Sequence, residues 1–131
     1  MKTVIFEGTL RRLRYQLLPH GETNHIQCLC GSLFDVWIDL RHNSPTYLEV
    51  EPTILHANDL LFLLEEIAHG FQTLEDTARL AYWMGTPFHP KSARDIRWND
   101  LFFSIEWSLL SPLVSERDSQ YPDFHLTPVF I

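Results

Sequence analysis

The sequence predicts an all-β protein, an antiparallel sandwich or barrel. Two observations carry this. Short segments rich in β-branched, aromatic and leucine residues recur along the chain with turn signals between them. One of them, "SLFDVWIDLR", alternates cleanly, with Leu33, Asp35, Trp37 and Asp39 on one side and Phe34, Val36, Ile38 and Leu40 on the other. Such spacing favours an antiparallel arrangement over βαβ units, whose strands alternate with longer helical patterns.

Taken in order, the predicted strands are residues 2–6, 9–17, 25–30, 32–40, 47–55, 59–64, 71–73, 77–83 and 101–107. His20-Gly21, Asn43-Ser44-Pro45, Asn58-Asp59, Gly85-Thr86-Pro87 and Pro90-Lys91-Ser92 separate them. The 32–40 strand reads as half-buried with one polar face and as central in its sheet. A rival reading exists over 59–68, where Asn58 would cap a helix and Gly70 would end it. Periodicity leaves that choice open, because 60–64 is a continuous apolar run. A short helix near 73–80 is a further alternative. The closing stretch, "SERDSQYPDFHLTPVFI", reads as irregular chain wrapping the body.

Composition sets the outer limits. At 131 residues, with 45% hydrophobic and 21% charged residues, the chain suits one globular domain over 1–131. No apolar run approaches the roughly 18 residues that span a bilayer, and the start lacks the pattern of a secretory signal. A net charge of −7 disfavours nucleic acid and anionic membrane as partners. Cys28 and Cys30 stand two apart, a spacing on one strand face that suits no ordinary disulfide. A reduced, cytoplasmic protein is expected.

The candidate chemistry is sparse. Seven histidines are present, with His20, His25 and Glu22 together in "PHGETNH", yet no H-x-H pair occurs and no metal site is expected. Phosphate loops, nucleophile elbows and zinc-type cysteine sets are missing from the sequence. "IRWND" reads as a turn with a packed indole, and the His-Gly-Phe of "AHGFQTLED" as a helix stop. Most notable is "TLRRLRYQ", which gathers Arg11, Arg12 and Arg14 in an acidic chain. Strict alternation places Arg11 and Arg14 on opposite faces of a strand, unless a bulge intervenes.

The words "GTLRRLRYQ", "GSLFDVWIDLRHNSPTY", "AHGFQTLED", "AYWMGTPFHP", "IRWNDLFFSIEW" and "LVSERDSQYP", in this order, resemble the dTDP-4-dehydrorhamnose 3,5-epimerase family. The resemblance covers roughly residues 8–121. It implies a jelly-roll (cupin, double-stranded β-helix) barrel with minor short helices, usually a homodimer. It also implies an isomerase of nucleotide-linked 4-keto-6-deoxysugars on a rhamnose-type route, working without metal or organic cofactor. In such enzymes a base removes a proton next to the keto group, a cation steadies the enolate, and an acid reprotonates the opposite face.

Carried over by resemblance, Tyr82 matches the acid, His69 a histidine on the keto side, and Asp118 the aspartate that supports the base. Arg11 matches a diphosphate-binding arginine, and Gln16 closes the same word. The family base, the histidine of a word like "LRGLHYQ", is Arg14 here, and the family glycine is Arg12. The family lysine is Asn24, and a further tyrosine is Phe88. A guanidinium stays protonated at physiological pH and abstracts no carbon-bound proton. Arg14 is therefore expected as a substrate-side cation with Asp118 as its partner, and the chain as a catalytically impaired relative. The alternatives are a relocated base, His69 acting opposite Tyr82, or a non-catalytic binding subunit paired with an intact epimerase. Family chains also carry a nucleotide-binding segment before the first matching word, which the resemblance implies is missing here.

Overall fold

The computed structural model describes residues 9–75, 77–85, 88–107, 113–114, 120–122 and 124. These form nine strands: β1 (Thr9–Gln16), β2 (Asn24–Cys30), β3 (Ser32–Asp39), β4 (Val50–His56), β5 (Leu60–Leu63), β6 (Ile67–Thr73), β7 (Arg79–Met84), β8 (Ala93–Ile96) and β9 (Leu113–Val114). No helix occurs among the described residues. One sheet runs β4-β3-β6-β1-β8, with β9 added in parallel to β1, and the other runs β5-β2-β7. Apart from β9, all pairings are antiparallel. The two sheets face each other as the expected jelly roll.

The inter-sheet core is built from both layers. Ile26, Cys28, Leu63, Ala78 and Leu80 meet Leu33, Leu55, Ile67 and Phe71. Another apolar cluster lies on the far side of the large sheet, where Leu13, Val36, Ile38, Ala68 and Ile96 are covered by Phe103, Ile105, Trp107 and Phe124. The large sheet is therefore buried on both faces. This corrects the half-buried reading of β3: Leu33 and Trp37 belong to the inter-sheet core, and the carboxylates between and beyond them, Asp35 and Asp39, are fully buried. β3 is flanked by β4 and β6, as expected of an interior strand.

Several local expectations are corrected. The rival helix over 59–68 is instead β5, a turn, and the start of β6. β5 edges its sheet with Leu60 and Phe62 exposed while Leu63 is buried, so apolar residues fall on both faces and erase the alternation. The alternative helix near 73–80 is likewise replaced by the end of β6 and the start of β7. His69 and Gly70, read as a helix stop, lie in the middle of β6. The predicted strand at 101–107 is irregular chain packed over the large sheet, and a strand absent from that reading, β8, occupies Ala93–Ile96. The predicted 2–6 strand lies outside the described residues, as does most of 115–131.

Two turns have clear physical causes. Gly31 joins β2 to β3 at φ 75°, and a Cβ there would sit 2.8 Å from the Cα of Ala78. Only glycine fits that crossing. Asn58, between β4 and β5, adopts φ 77°, a left-handed conformation that asparagine tolerates. Cys28 and Cys30 are both free thiols, with Cys28 buried. Among the described residues no helix is long and apolar enough to cross a membrane.

Candidate functional site

A cleft between the sheets gathers the residues that matter. Its large-sheet wall carries Arg11 and Arg14 from β1 with His69 and Phe71 from β6. Its small-sheet wall carries Leu80 and Tyr82 from β7, Asn24 at the start of β2, and Glu22 just before it.

Both arginines reach this cleft because β1 is bulged. Arg11 is in register with Phe71 and Arg14 with His69, so three steps on β1 match two on β6. An extra residue in one strand shifts the phase of everything after it. The bulge that alternation required is present, and it forms without the family glycine.

Arg14 lies directly opposite Asp95 on β8 and binds it through Nε, 2.9 Å from Oδ1, and Nη2, 3.4 Å from Oδ2. Phe88 sits beneath the guanidinium, 5.3 Å from ring centroid to carbon. Burial works against the charge, but the bonds and charge of Asp95 outweigh it and raise Arg14 above the ordinary arginine value. Among the described residues, the carboxylate that holds Arg14 is Asp95. Asp118, singled out from the sequence, lies outside the described residues. Asp95 escaped notice because its strand, "ARDI", is short and was not recognised. Reading it antiparallel to "TLRRLRYQ" would have supplied the pair.

His69 is paired as well. Its Nε2 donates to Oδ2 of Asp35 at 2.6 Å, and both side chains are buried. Nδ1 is then the ring nitrogen left for the cleft. Burial pushes the Asp35 carboxyl up, and the charge and hydrogen bond of His69 offset this only in part. Asp35 was legible as part of an alternating strand but not as a histidine partner, since β6 and β3 are joined only by tertiary pairing.

Gln16 stands apart from this cleft. Its side chain is buried, donating from Nε2 to the carbonyl of His20 at 2.6 Å and accepting at Oε1 from the amide of His89 at 2.9 Å. His20 and His89 stack at 3.7 Å between ring centroids. Arg11, Arg14, His69 and Tyr82 are brought together; Gln16 ties two loops beside them.

Arg11 Nε and Asn24 Oδ1 are buried polar atoms of the cleft with no hydrogen-bond partner among the described residues. One is a donor and one an acceptor, so a polar ligand that met both would relieve a desolvation cost. No group of three or more His, Cys, Asp or Glu among the described residues is placed to hold a metal ion.

A family model described as dTDP-4-dehydrorhamnose 3,5-epimerase matches residues 2–125. The chain belongs to that family. The epimerase of Shigella flexneri is 36% identical over 114 residues, covering 86% of this chain and 63% of the relative. The crystal structure of the epimerase from Elizabethkingia anophelis superposes with a TM-score of 0.86 at 32% identity, covering 94% of this chain and 69% of that one. The Bacillus anthracis epimerase, solved with TDP and PPi bound, gives 0.86 at 32% identity, covering 94% and 71%. The chain spans less than two thirds of the length of the curated epimerases it matches first. Like the epimerases it superposes on, the chain is a jelly roll, and Arg11, Arg14, Asn24, His69 and Tyr82 all line its cleft.

Proposed function

We propose that this chain binds a nucleotide-linked 4-keto-6-deoxyhexose in the cleft, as an epimerase-type protein whose proton transfer is impaired. One observation carries the reading: Arg14 faces the cleft beside His69, charged and held by Asp95, at the place the family words assign to the general base. A cation there steadies an enolate or a phosphate but accepts no proton. Loss of a general base typically lowers a rate by about two to four orders of magnitude. Arg11 serves the diphosphate, in keeping with the TDP and PPi held by the Bacillus anthracis relative. Tyr82 is the donor, and Asp118 and Gln16 keep the supporting roles that the resemblance gives them. The partner is a second copy of the chain or a related epimerase, and no nucleic acid or membrane is engaged.

The bond between His69 and Asp35 favours a second reading, in which His69 is the base and Tyr82 on the facing wall the acid. A buried carboxylate orients the imidazole and stabilises its protonated form.

Mass spectrometry of a dTDP-4-keto-6-deoxyhexose incubated in deuterated buffer separates these readings. The impaired reading expects slow solvent exchange by the unmodified chain and faster exchange by Arg14→His. Rapid exchange by the unmodified chain, abolished in His69→Ala, establishes the relocated base instead. Binding of dTDP with no exchange in any variant establishes a non-catalytic binding subunit.

A further inference from the structure

The two walls of the cleft differ in what they offer a proton, and that difference gives Glu22 a role. The large-sheet wall holds two guanidinium groups and His69; the small-sheet wall holds Tyr82, Asn24 and Glu22. Glu22 is only 5% exposed although it lies in a loop just ahead of β2. At neutral pH a phenol is a proton donor and a carboxamide neither gives nor takes one. Glu22 is therefore the proton acceptor of the small-sheet wall among the described residues.

Inverting a carbon centre requires that its proton leave from one face and a new one arrive at the other. A sugar ring lying between the sheets presents one face to each wall. We propose that Glu22 is a catalytic base of this cleft, taking a carbon-bound proton next to the keto group from the small-sheet side, with His69 returning a proton from the large-sheet side. The inference rests on the ligand being the keto sugar proposed above. The C–H bond breaks and its proton passes to a Glu22 carboxylate oxygen. The electron pair moves onto the former keto oxygen as an enolate, near the fixed charge of Arg14. The enolate carbon then takes the proton from Nδ1 of a protonated His69, whose Nε2–H is held by Asp35, and the C=O bond re-forms. Solvent restores both groups. This path needs no base at Arg14, and it uses the cation there for the enolate oxygen.

The test compares the unmodified chain with Glu22→Gln and Glu22→Asp. Solvent-deuterium incorporation into a dTDP-4-keto-6-deoxyhexose is followed at high protein concentration over hours, and dTDP affinity is measured by calorimetry. The expected result is slow exchange by the unmodified chain, a fall of about 100-fold in Glu22→Gln, and a dTDP Kd within about threefold of the unmodified value, since the carboxylate acts on the sugar. If Glu22→Gln fails to fold, Glu22→Asp carries the test: the acceptor retreats by one methylene, and a fall of about tenfold or more with dTDP binding kept is expected. Unchanged exchange in the variant that folds overturns the assignment. So does an unmodified chain that binds dTDP and exchanges nothing. If the unmodified chain binds neither dTDP nor the sugar nucleotide, the ligand reading itself fails and this assignment falls with it.

Discussion

Arg14 and Asp95 face each other across the β1–β8 register, Nε 2.9 Å from Oδ1, with side chains 15% and 14% exposed. The pair fixes a positive charge in a cleft that also holds Arg11, a histidine, a phenol and a carboxylate. It also explains how an acidic chain carries arginines on β1: at least one is neutralised by a cross-strand partner.

Removing Asp95 tests that dependence. Asp95→Ala leaves a mostly buried guanidinium without its anion, and a loss of about 1–3 kcal/mol is expected. Urea unfolding of the single variant, of Arg14→Ala and of the double variant gives the coupling. A double variant no more stable than the sum of its parts would show the pair to be energetically idle.

Arg14→His places an imidazole opposite Asp95 and beside His69. An accelerated deuterium exchange of about 100-fold or more over the unmodified chain is expected, the usual contribution of a positioned base. The variant failing to exceed the unmodified chain, while still binding dTDP, would show that Asn24 and the rest of the cleft limit the reaction.

The two buried aspartates of β3 respond to pH in opposite senses. Burial pushes Asp39 up, but bonds from Arg41, Ser44 and Thr46 prevail and hold it well below the usual carboxylate range. Its stabilising contribution is present above the ordinary carboxylate pKa and is lost as pH falls toward the lowered folded value. Asp35 is pushed up by burial, so the folded state binds its proton more tightly than the unfolded one and stability falls as pH rises through that raised value. Thermal unfolding should therefore find Asp39→Asn destabilised at pH 7 with the difference shrinking in strong acid. Asp35→Asn should gain in Tm relative to the unmodified chain as pH rises above the ordinary carboxylate range. The opposite trend in either variant contradicts the assigned cause.

Gln16 spans two backbone groups from a buried position. Gln16→Ala strands the His20 carbonyl and the His89 amide, and a loss of about 1–3 kcal/mol is expected. Chemical unfolding of the variant at neutral pH measures it, and a loss below about 0.5 kcal/mol would mean that water replaces the side chain without penalty.

The protein is expected to be a homodimer in solution. Phe62 and Trp83 flank His25 in register on the outer face of the small sheet, with the two aromatics 49% and 45% exposed. β4, β8, β5 and β7 edge their sheets, and exposed edges and apolar rows favour pairing. Light scattering at micromolar concentration should give the dimer mass; a clean monomer overturns this.

How far the sequence could be read depended on whether a signal was local. The alternation of 32–40, the turn at Asn58-Asp59 and the family words all sit within a few residues, and they led to the all-β fold class and to His69, Tyr82 and Arg11. Asp35 and Asp95 became partners only through pairing between strands far apart in sequence, which local patterns do not reveal. β5 misled because an edge strand with leucines on both faces has no period to detect. The strand expected at 101–107 misled for a related reason: its apolar residues cover a sheet instead of extending one.

The bulge in β1 has a consequence for how such clefts change over generations. A strand assigns its side chains by parity, and Arg11 and Arg14, three apart, have unlike parity yet share a side because one residue is slipped between them. Deleting a single residue from that interval would heal the ladder and still leave both guanidinium groups on the cleft side, two positions apart. At the present spacing of three, a regular strand and a doubly cationic cleft are mutually exclusive. The number of charges facing the ligand is thus set by spacing and bulge together, and relatives that differ there by an insertion or deletion should be compared by phase before they are compared by residue.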